Sequence, residues 1–433
     1  MRKGERIAVL EGFRTPMGKM GGSLAKAQAD ILGSYIVKEV YERYLDYGKA
    51  SDISEVIVGN VAQPAHAANV ARVIALRAGI DQSVPAFTVH RNCASGIEAI
   101  ASSICKINSG YAETVVAAGV ESMSNVPLLF NQGMKDFLEG MMRARSVPAK
   151  LKQLIKFRLK FLSPVIGLKL GLTDPVCNLI MGLTAENLAK DFGISRDEQD
   201  KFAMASHNKA ENARDKGFFA EEIIPYPANL KKAKMLEHDE GIRNGQNMKD
   251  LAKLRPFFDR KNGTVTAGNS SQITDGAAAL MLMPEKKAKA LKAKPLGYIK
   301  DFTFNGLDPS RMGLGPAYSI ADILNKNKMT VKDIDLFEIN EAFAVQVMAC
   351  QQALDSKKYC TEKLGLKDKV GLIDSNLINV NGGSVALGHP VGMTGTRIVI
   401  HTLRELKRRK KQTGIASLCI GGGQGAAVLV EVE

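Results

Sequence analysis

The sequence predicts an α/β protein built of two similar layered halves, with a mainly helical domain inserted into the first. Three observations support this. Over the first 121 residues, apolar β-branched runs alternate with segments of helical spacing, and the same alternation resumes near Ala277 and continues to the end. From Ser122 to about Ser271 the pattern is instead helical and loop-like, with charged stretches such as 196–214. The second series also echoes the first: 52–60 has a counterpart in 333–341, and 115–119 in 415–420, each at the same place in the strand-helix order. The expected division is therefore a first half of residues 1–121 with 274–293, a loop domain of 122–273, and a second half of 294–433. A site at the junction of two such halves would draw on loops from both.

In order along the chain, 6–10 reads as a buried strand, followed by a loop over 14–22 punctuated by Gly and Pro. Residues 25–44 have the spacing of an amphipathic helix. Ser51 and Asp52 suit a cap or turn before a strand over 55–60, and 69–78 reads as a helix of small and aliphatic residues. A strand over 87–90 leads into a helix that opens at Ser95, and 113–119 is one more buried strand. Strands that are apolar throughout belong to a sheet covered on both faces. After the insertion, 277–283 is the strand at which the buried pattern returns.

Composition narrows the function classes. The six cysteines include no C-x-x-C pair, so neither a disulfide framework nor a zinc site is expected; a reducing compartment fits, and no metal is expected. The start has no apolar h-region or Arg/Ser-rich presequence, and the final LVEVE is no peroxisomal signal, so a cytoplasmic location is the expectation. No apolar run approaches the ~20 residues of a membrane span. A formal net charge of +14 favours polyanionic partners: nucleic acid, anionic lipid or a phosphorylated cofactor. Nucleic acid is not expected, because zinc-finger spacing and RNP-type aromatics are lacking and there is no Trp for stacking.

Cys93 stands at the turn between strand 87–90 and the helix from Ser95. Unpaired N–H groups and the positive end of a helix dipole behind a thiol lower its pKa from about 8.5 towards neutrality, which makes a nucleophile. The alternative is a buried, inert cysteine, the commoner fate of this residue. His389 lies in a glycine-rich stretch, NGGSVALGHP, at the opening of an aliphatic helix, where it is either a ligand-facing base or a histidine that bonds the backbone. Cys419 ends a strand and is closely followed by Gly421, Gly422 and Gly423, whose uncovered N–H groups suit an oxyanion hole or, more blandly, a strand-end turn. Asn340 and Glu341 end another strand, as a polar pair or as a simple cap for the next helix.

These stretches resemble the thiolases, the acyl-CoA:acetyl-CoA C-acyltransferases. The similarity covers nearly the whole chain: RTPMGKMGGSL, NCASGIEAI around Cys93, MGLTAENLA, ISRDEQDKFAMASHNKA, TVTAGNSSQITDGAAA, INEAFA, GGSVALGHPVGMTGTR and CIGGGQGAA occur in the family's order. VGNVAQPAHAANVAR and the basic insertion after Asn125 are similar to the β-subunits of fatty-acid-oxidation multienzyme complexes. One departure is Asn340, where those β-subunits tend to carry His and stand-alone thiolases carry Asn.

The resemblance implies the thiolase fold, with αβαβα layering, and a 3-ketoacyl-CoA thiolase of fatty-acid β-oxidation. Cys93 would accept the acyl group, His389 would take its proton and then stabilise the thioester oxygen, and Cys419 would move the α-proton of acetyl-CoA. Asn340 would hold a water in the enolate hole, and the N–H of Gly421, with that of Cys93, would cradle the tetrahedral intermediate. Met181, Arg243 and Ser271 would contact coenzyme A. Coenzyme A and acyl-CoA are then substrates, with no permanently bound cofactor. The chain would form a homodimer or dimer of dimers, with a hydratase/dehydrogenase subunit as a further partner. Three rivals remain: an acetoacetyl-CoA thiolase working in the condensing direction, a decarboxylating ketoacyl synthase, and a silent lipid-binding or scaffold subunit. The synthase would use a second histidine where Asn340 stands, and intact Cys93, His389 and Cys419 argue against the silent subunit.

Between Met141 and Thr173 the chain carries Arg143, Arg145, Lys150, Lys152, Lys156, Arg158, Lys160 and Lys169 with no acid until Asp174. Leu151, Leu154, Ile155, Leu159 and Leu162 fall near helical spacing among them, the pattern of a basic amphipathic helix. An anionic membrane surface, a partner subunit, a field that draws in coenzyme A and a plain solvated face all fit that pattern, with Ile155, Phe157, Phe161 and Val165 favouring the first two.

Overall fold

Strand pairing joins the two halves into one mixed sheet in the computed structural model, which describes residues 6–229 and 233–433. Its strands are β1 Ile7–Arg14, β2 Ile53–Gly59, β3 Ala86–Val89, β4 Thr114–Ser122, β5 Thr274–Pro284, β6 Gly297–Gly306, β7 Leu336–Ile339, β8 Thr413–Ile420 and β9 Gln424–Glu431, with a two-residue strand, Gly18–Lys19, beside β5. In space they run β7-β8-β9-β6-β1-β5-β4-β2-β3. β1 is the join: Ala8 is opposite Met283 of β5 on one side and Tyr298 of β6 on the other. Outward from it each half repeats one arrangement, an antiparallel pair (β5 with β4, β9 with β8) and then a parallel one (β4 with β2, β8 with β7). The echoed segments of the sequence are the equivalent strands β2 and β7, and β4 and β8.

The helices that cover the sheet and build the insertion are α1 Ala29–Tyr44, α2 Val70–Arg77, α3 Ser95–Asn108, α4 Gln132–Arg143, α5 Val147–Leu154, α6 Met181–Asp191, α7 Arg196–Asp215, α8 Gly315–Lys326, α9 Ala344–Asp355 and α10 Val391–Arg409. β4 shows why its residues read as one apolar run: all nine are buried. Val115 and Ala117 pack in the middle layer with Ile97 and Ile100 of α3, whereas Val116 and Ala118 pack with Leu32 and Ile36 of α1 on the opposite face. On the second half, β8 sends Leu418 and Ile420 to the middle layer, with Ile398 and Leu403 of α10, and Ile415 outward to Ile320 of α8 and Val347 of α9. The order of layers is αβαβα.

In the middle layer α3 crosses α10 at backbone contact. A Cβ on Gly96 would lie 2.6 Å from the Thr396 nitrogen, and one on Gly119 would collide with the Gly392 carbonyl. Only glycine permits that approach, which brings the N-termini of the two helices together.

Several boundaries differ from expectation. β1 runs on to Arg14 because its buried guanidinium is bonded by Glu222 (2.7 Å) and Asp239 (2.7 Å), so a charged residue continues a core strand. α1 starts at Ala29, since residues before the extended Gln28 form turns closed by Ala25 N–H to Gly22 and Ala27 N–H to Leu24. The basic stretch 141–173 is not one amphipathic helix. It is broken into α5, a 3-10 turn Leu159–Leu162, a strand Val165–Ile166 and a short helix Gly167–Gly171. Pro164 cannot continue a helix, and Phe157 and Phe161 turn inward onto Phe137 of α4. Among the described residues no helix is long and apolar enough to cross a membrane, and no group of three His, Cys, Asp or Glu side chains could hold a metal.

Candidate active site

The α3–α10 crossing determines what meets at the site. Cys93 and His389 each stand two residues ahead of the first residue of those helices. Asn92 adopts the left-handed region (φ 44°) and donates its amide to the Gly421 carbonyl at 2.7 Å, tying the Cys93 turn to the glycine turn after β8. Gly422 and Gly423 have φ of 91° and 77°, so that turn demands glycine. The backbone N–H groups of Gly421 and of Cys93 itself act on the sulfur in the direction that favours the thiolate.

The lowered thiol pKa expected at Cys93 is not found. Burial pushes the thiol above its ordinary value and outweighs those two N–H groups, with the nearby Glu121 carboxylate adding to the rise. Cys93 thus needs a base. Cys419 is buried, and burial first, then the neighbouring Cys93, pushes its thiol well up.

His389 is the candidate for that base. Burial, reinforced by Arg397, lowers its pKa to about 3, so the imidazole is neutral at pH 7. The Thr394 hydroxyl, 2.7 Å from Nδ1, donates to the Pro390 carbonyl and therefore accepts from Nδ1–H. That assigns the lone pair to Nε2, which lies 3.5 Å from the Asn340 amide. Asn340 is no helix cap: its oxygen accepts the Ser384 hydroxyl (2.6 Å), and the N-cap of α9 is Phe343. Glu341 orients the same loop by accepting from Ser206 (2.7 Å) and Asn379 (2.9 Å).

A cavity of about 550 Å³ opens over Cys93. Gly421 and Met181 line it with Cys93, and Val126, Pro127, Leu168, Leu170 and Leu172 of the insertion form an apolar wall. The Met181 sulfur faces Gly421, 3.4 Å from where a Cβ would stand. His389, Asn340 and Cys419 are buried and not part of that lining. Arg243 and Ser271 lie outside it too: Arg243 is exposed, with its N–H on His207, and half-buried Ser271 donates its N–H to Ala342. A smaller cavity of about 360 Å³, between Met348 and Leu372, contains no cysteine or histidine.

Sequence reasoning missed Thr394 and Ser384, whose partners only the fold reveals, and Glu121. The Glu121 carboxylate is buried in the cavity wall and accepts four N–H groups: Asn60 side chain (3.1 Å), Val61 (3.1 Å), Ala62 (3.0 Å) and Gly392 (3.0 Å). It thereby clamps a loop of the first half to the start of α10. Burial nevertheless raises its pKa from 4.5 to about 7, against the pull of those N–H groups. A raised native pKa means that the native protein holds a proton which the unfolded chain releases. That stabilisation is full below about pH 4.5 and is lost as pH rises through 7, on the order of 3 kcal/mol in all. Glu121→Gln cannot titrate, so the unfolding free energy of the parent minus that of the variant should fall by about that amount across this range. Urea unfolding at several pH values measures it, and a constant difference would contradict the assignment.

Comparison with known proteins follows the same lines. Residues 7–286 match the family model for the thiolase N-terminal domain and 293–432 that for the thiolase C-terminal domain. The chain is 39% identical over 428 residues, 98% of each chain, to a protein of Staphylococcus epidermidis described as a probable acetyl-CoA acyltransferase. It is 39% identical over 432 residues, 100% of this chain and 98% of the other, to the 3-ketoacyl-CoA thiolase of Shewanella halifaxensis. Among solved structures it is similar to the human mitochondrial 3-ketoacyl-CoA thiolase in complex with CoA, with a TM-score of 0.84 at 35% identity, covering 99% of this chain and 98% of that one.

Proposed function

The chain belongs to the thiolase family of acyltransferases, and from that premise we propose that it is a 3-ketoacyl-CoA thiolase of fatty-acid β-oxidation. It cleaves 3-ketoacyl-CoA with coenzyme A to acetyl-CoA and a shortened acyl-CoA. The observation that carries this is the neutral His389, its Nδ1–H held by Thr394, together with two thiols, half-buried Cys93 in the lining of an apolar-walled cavity and buried Cys419 near it.

The chemistry follows from those groups. His389 Nε2 takes the Cys93 proton and the thiolate attacks the 3-keto carbon, whose developing oxyanion meets the N–H groups of Cys93 and Gly421. The C2–C3 bond then breaks, the acyl group stays on Cys93, and the enolate of acetyl-CoA leaves with its oxygen facing His389 and a water held by Asn340. Preorganised donors matter here, since each is worth ~3 kcal/mol at a developing oxyanion. Cys419 gives the enolate carbon its proton, and its thiolate then deprotonates the incoming coenzyme A, whose sulfur takes the acyl group from Cys93; the departing Cys93 thiolate recovers its proton from His389. The high pKa of Cys419 suits a group that must be protonated when the enolate forms.

For coenzyme A, Met181 flanks the pantetheine end, Ser271 an amide of that arm, and exposed Arg243 the adenine or phosphates. Coenzyme A and acyl-CoA are substrates, with no permanently bound cofactor in this reading. The size of the apolar cavity favours thiolysis of longer acyl chains over an acetoacetyl-CoA thiolase working in the condensing direction. The open edge of half-buried β3 supports a homodimer or dimer of dimers, in the cytoplasm, and a hydratase/dehydrogenase subunit would complete the cycle. Pairing of β5 with both β1 and β4 supports counting 274–293 with the first half, beside a loop domain of 122–273 and a second half of 294–433.

The test is loss of 3-ketoacyl-CoA absorbance on adding coenzyme A, over a series of chain lengths. CoA-dependent cleavage is expected. No consumption at any length would leave a silent lipid-binding subunit.

A further inference from the structure

The nucleophile and the base stand at the N-termini of two helices from different halves, α3 for Cys93 and α10 for His389, and one side chain is tied to both. Glu121 is the last residue but one of β4 and is fully buried. Its Oε1 accepts the Asn60 amide (3.1 Å) and the Ala62 N–H (3.0 Å), and its Oε2 accepts the N–H groups of Val61 (3.1 Å) and Gly392 (3.0 Å). The first three donors follow the end of β2, where a Cβ on Gly59 would lie 2.3 Å from the Ser95 carbonyl, so the segment packs directly on the first residue of α3. Asn60 is held there by donating to the Val120 carbonyl at 3.0 Å. The fourth donor belongs to the second half.

α10 needs that contact. Its N-cap is Pro390, which has no side-chain acceptor, and its first turn contains no acid. Met393 and Thr394 donate to the Pro390 carbonyl (2.9 and 3.0 Å), which leaves the N–H of Gly392 for a cap from elsewhere. A carboxylate placed there also meets the positive end of the helix dipole. Glu121 is that cap, and the contact requires glycine at 392: a Cβ would stand 2.5 Å from the Val120 carbonyl oxygen and 2.8 Å from Glu121 Oε2. The same turn of α10 carries Thr394, which fixes the His389 tautomer. Glu121, Val61, Ala62 and Val391 line the cavity together with Cys93, so the clamp lies beside the reacting thiol.

We propose that Glu121 is a positioning residue for the Cys93–His389 pair: as the cap that the first half supplies to the second half's catalytic helix, it sets the reach over which the Cys93 proton passes to Nε2. It acts through His389, not on the substrate. The inference rests on the thiolase reading for its reaction, while the reactivity of Cys93 towards an alkylating agent does not depend on that reading.

The test compares Glu121→Asp, Glu121→Gln and Glu121→Ala in the full chain. Asp keeps the charge but withdraws the carboxylate by one methylene, about 1.5 Å, too far to bond both halves. Gln keeps the reach and one acceptor oxygen, but sets an NH2 group against the donors on its other side. A misplacement of about 1 Å costs on the order of 10²-fold, so Asp and Ala should each lose about that much kcat, and Gln less, with KM for coenzyme A nearly unchanged. Alkylation of Cys93 by iodoacetamide at one fixed pH, mapped by mass spectrometry, should slow in the same order. Glu121→Gln fills the same space and decides the question by itself if the other two do not fold. An Asp variant at the parent's rate, or faster alkylation in Gln and Ala, would mean that only the charge of Glu121 is felt at Cys93, and overturns positioning. Lower thermal stability with the parent's kcat in all folded variants makes Glu121 a purely structural clamp and overturns it as well. A parent alkylated at Cys93 faster than its variants that cleaves no 3-ketoacyl-CoA fails the thiolase reading alone; equal cleavage by parent and variants fails positioning alone.

Discussion

Cys93→Ala is expected to stop thiolysis, a loss on the order of 10⁴-fold or more, because the reading makes this sulfur the only acyl carrier. His389 keeps its tautomer in the variant, since Thr394 and Pro390 hold it without help from Cys93, and Cys419 keeps its proton. Neither can replace the missing nucleophile: His389 is committed through Nδ1, and Cys419 is buried and outside the cavity lining. The fold should survive, as the substitution removes one sulfur from a half-buried turn whose position is set by Asn92 and Gly421, a cost of about 1 kcal/mol or less. Steady-state thiolysis alongside thermal unfolding separates the two effects. Turnover within tenfold of the parent in a normally folded variant would remove Cys93 from the reaction.

The second large effect is selective. Cys419→Ser leaves Cys93 and His389 in place, so acyl transfer from a simple acyl-CoA onto the enzyme should persist. Exchange of the acetyl-CoA α-protons with solvent should instead fall by about 10² to 10⁴-fold, the value of a positioned acid/base. A serine hydroxyl is a much weaker acid than a thiol and cannot hold the thiolate state that takes the proton from coenzyme A. Deuterium exchange into acetyl-CoA measures this directly. Unchanged exchange would mean that Cys419 merely packs at the end of β8.

Much of this arrangement was legible in the sequence. The layered halves appear as apolar runs because β4 and its equivalents are buried on both faces, so polar residues are few in them: Thr114, Glu121 and Ser122 at the ends of β4, and Ser417 inside β8. Cys93, His389 and Cys419 stand out as polar or reactive residues at strand and helix ends beside glycines. The remainder depends on contacts between distant segments. Nothing local marks Glu121, because its four donors come from 60–62 and from Gly392, 271 residues later. Thr394 reads as an ordinary helix residue until His389 folds back over it. The sequence points to a lowered Cys93 pKa because a helix N-terminus is visible in it, whereas the desolvation that raises the thiol is not. The stretch 141–173 has the spacing of one helix because its aliphatic residues recur helically on both sides of Phe157, while the inward turn of Phe157 and Phe161 depends on Phe137.

The most direct test of the account is to mix the parent protein with an acyl-CoA that lacks the 3-keto group, quench before coenzyme A is added, and map the modified peptide by mass spectrometry. The account predicts one acyl group on Cys93, absent from Cys93→Ala and discharged by coenzyme A. An acyl group on Cys419, Cys105 or Cys177 with Cys93 unmodified would contradict it.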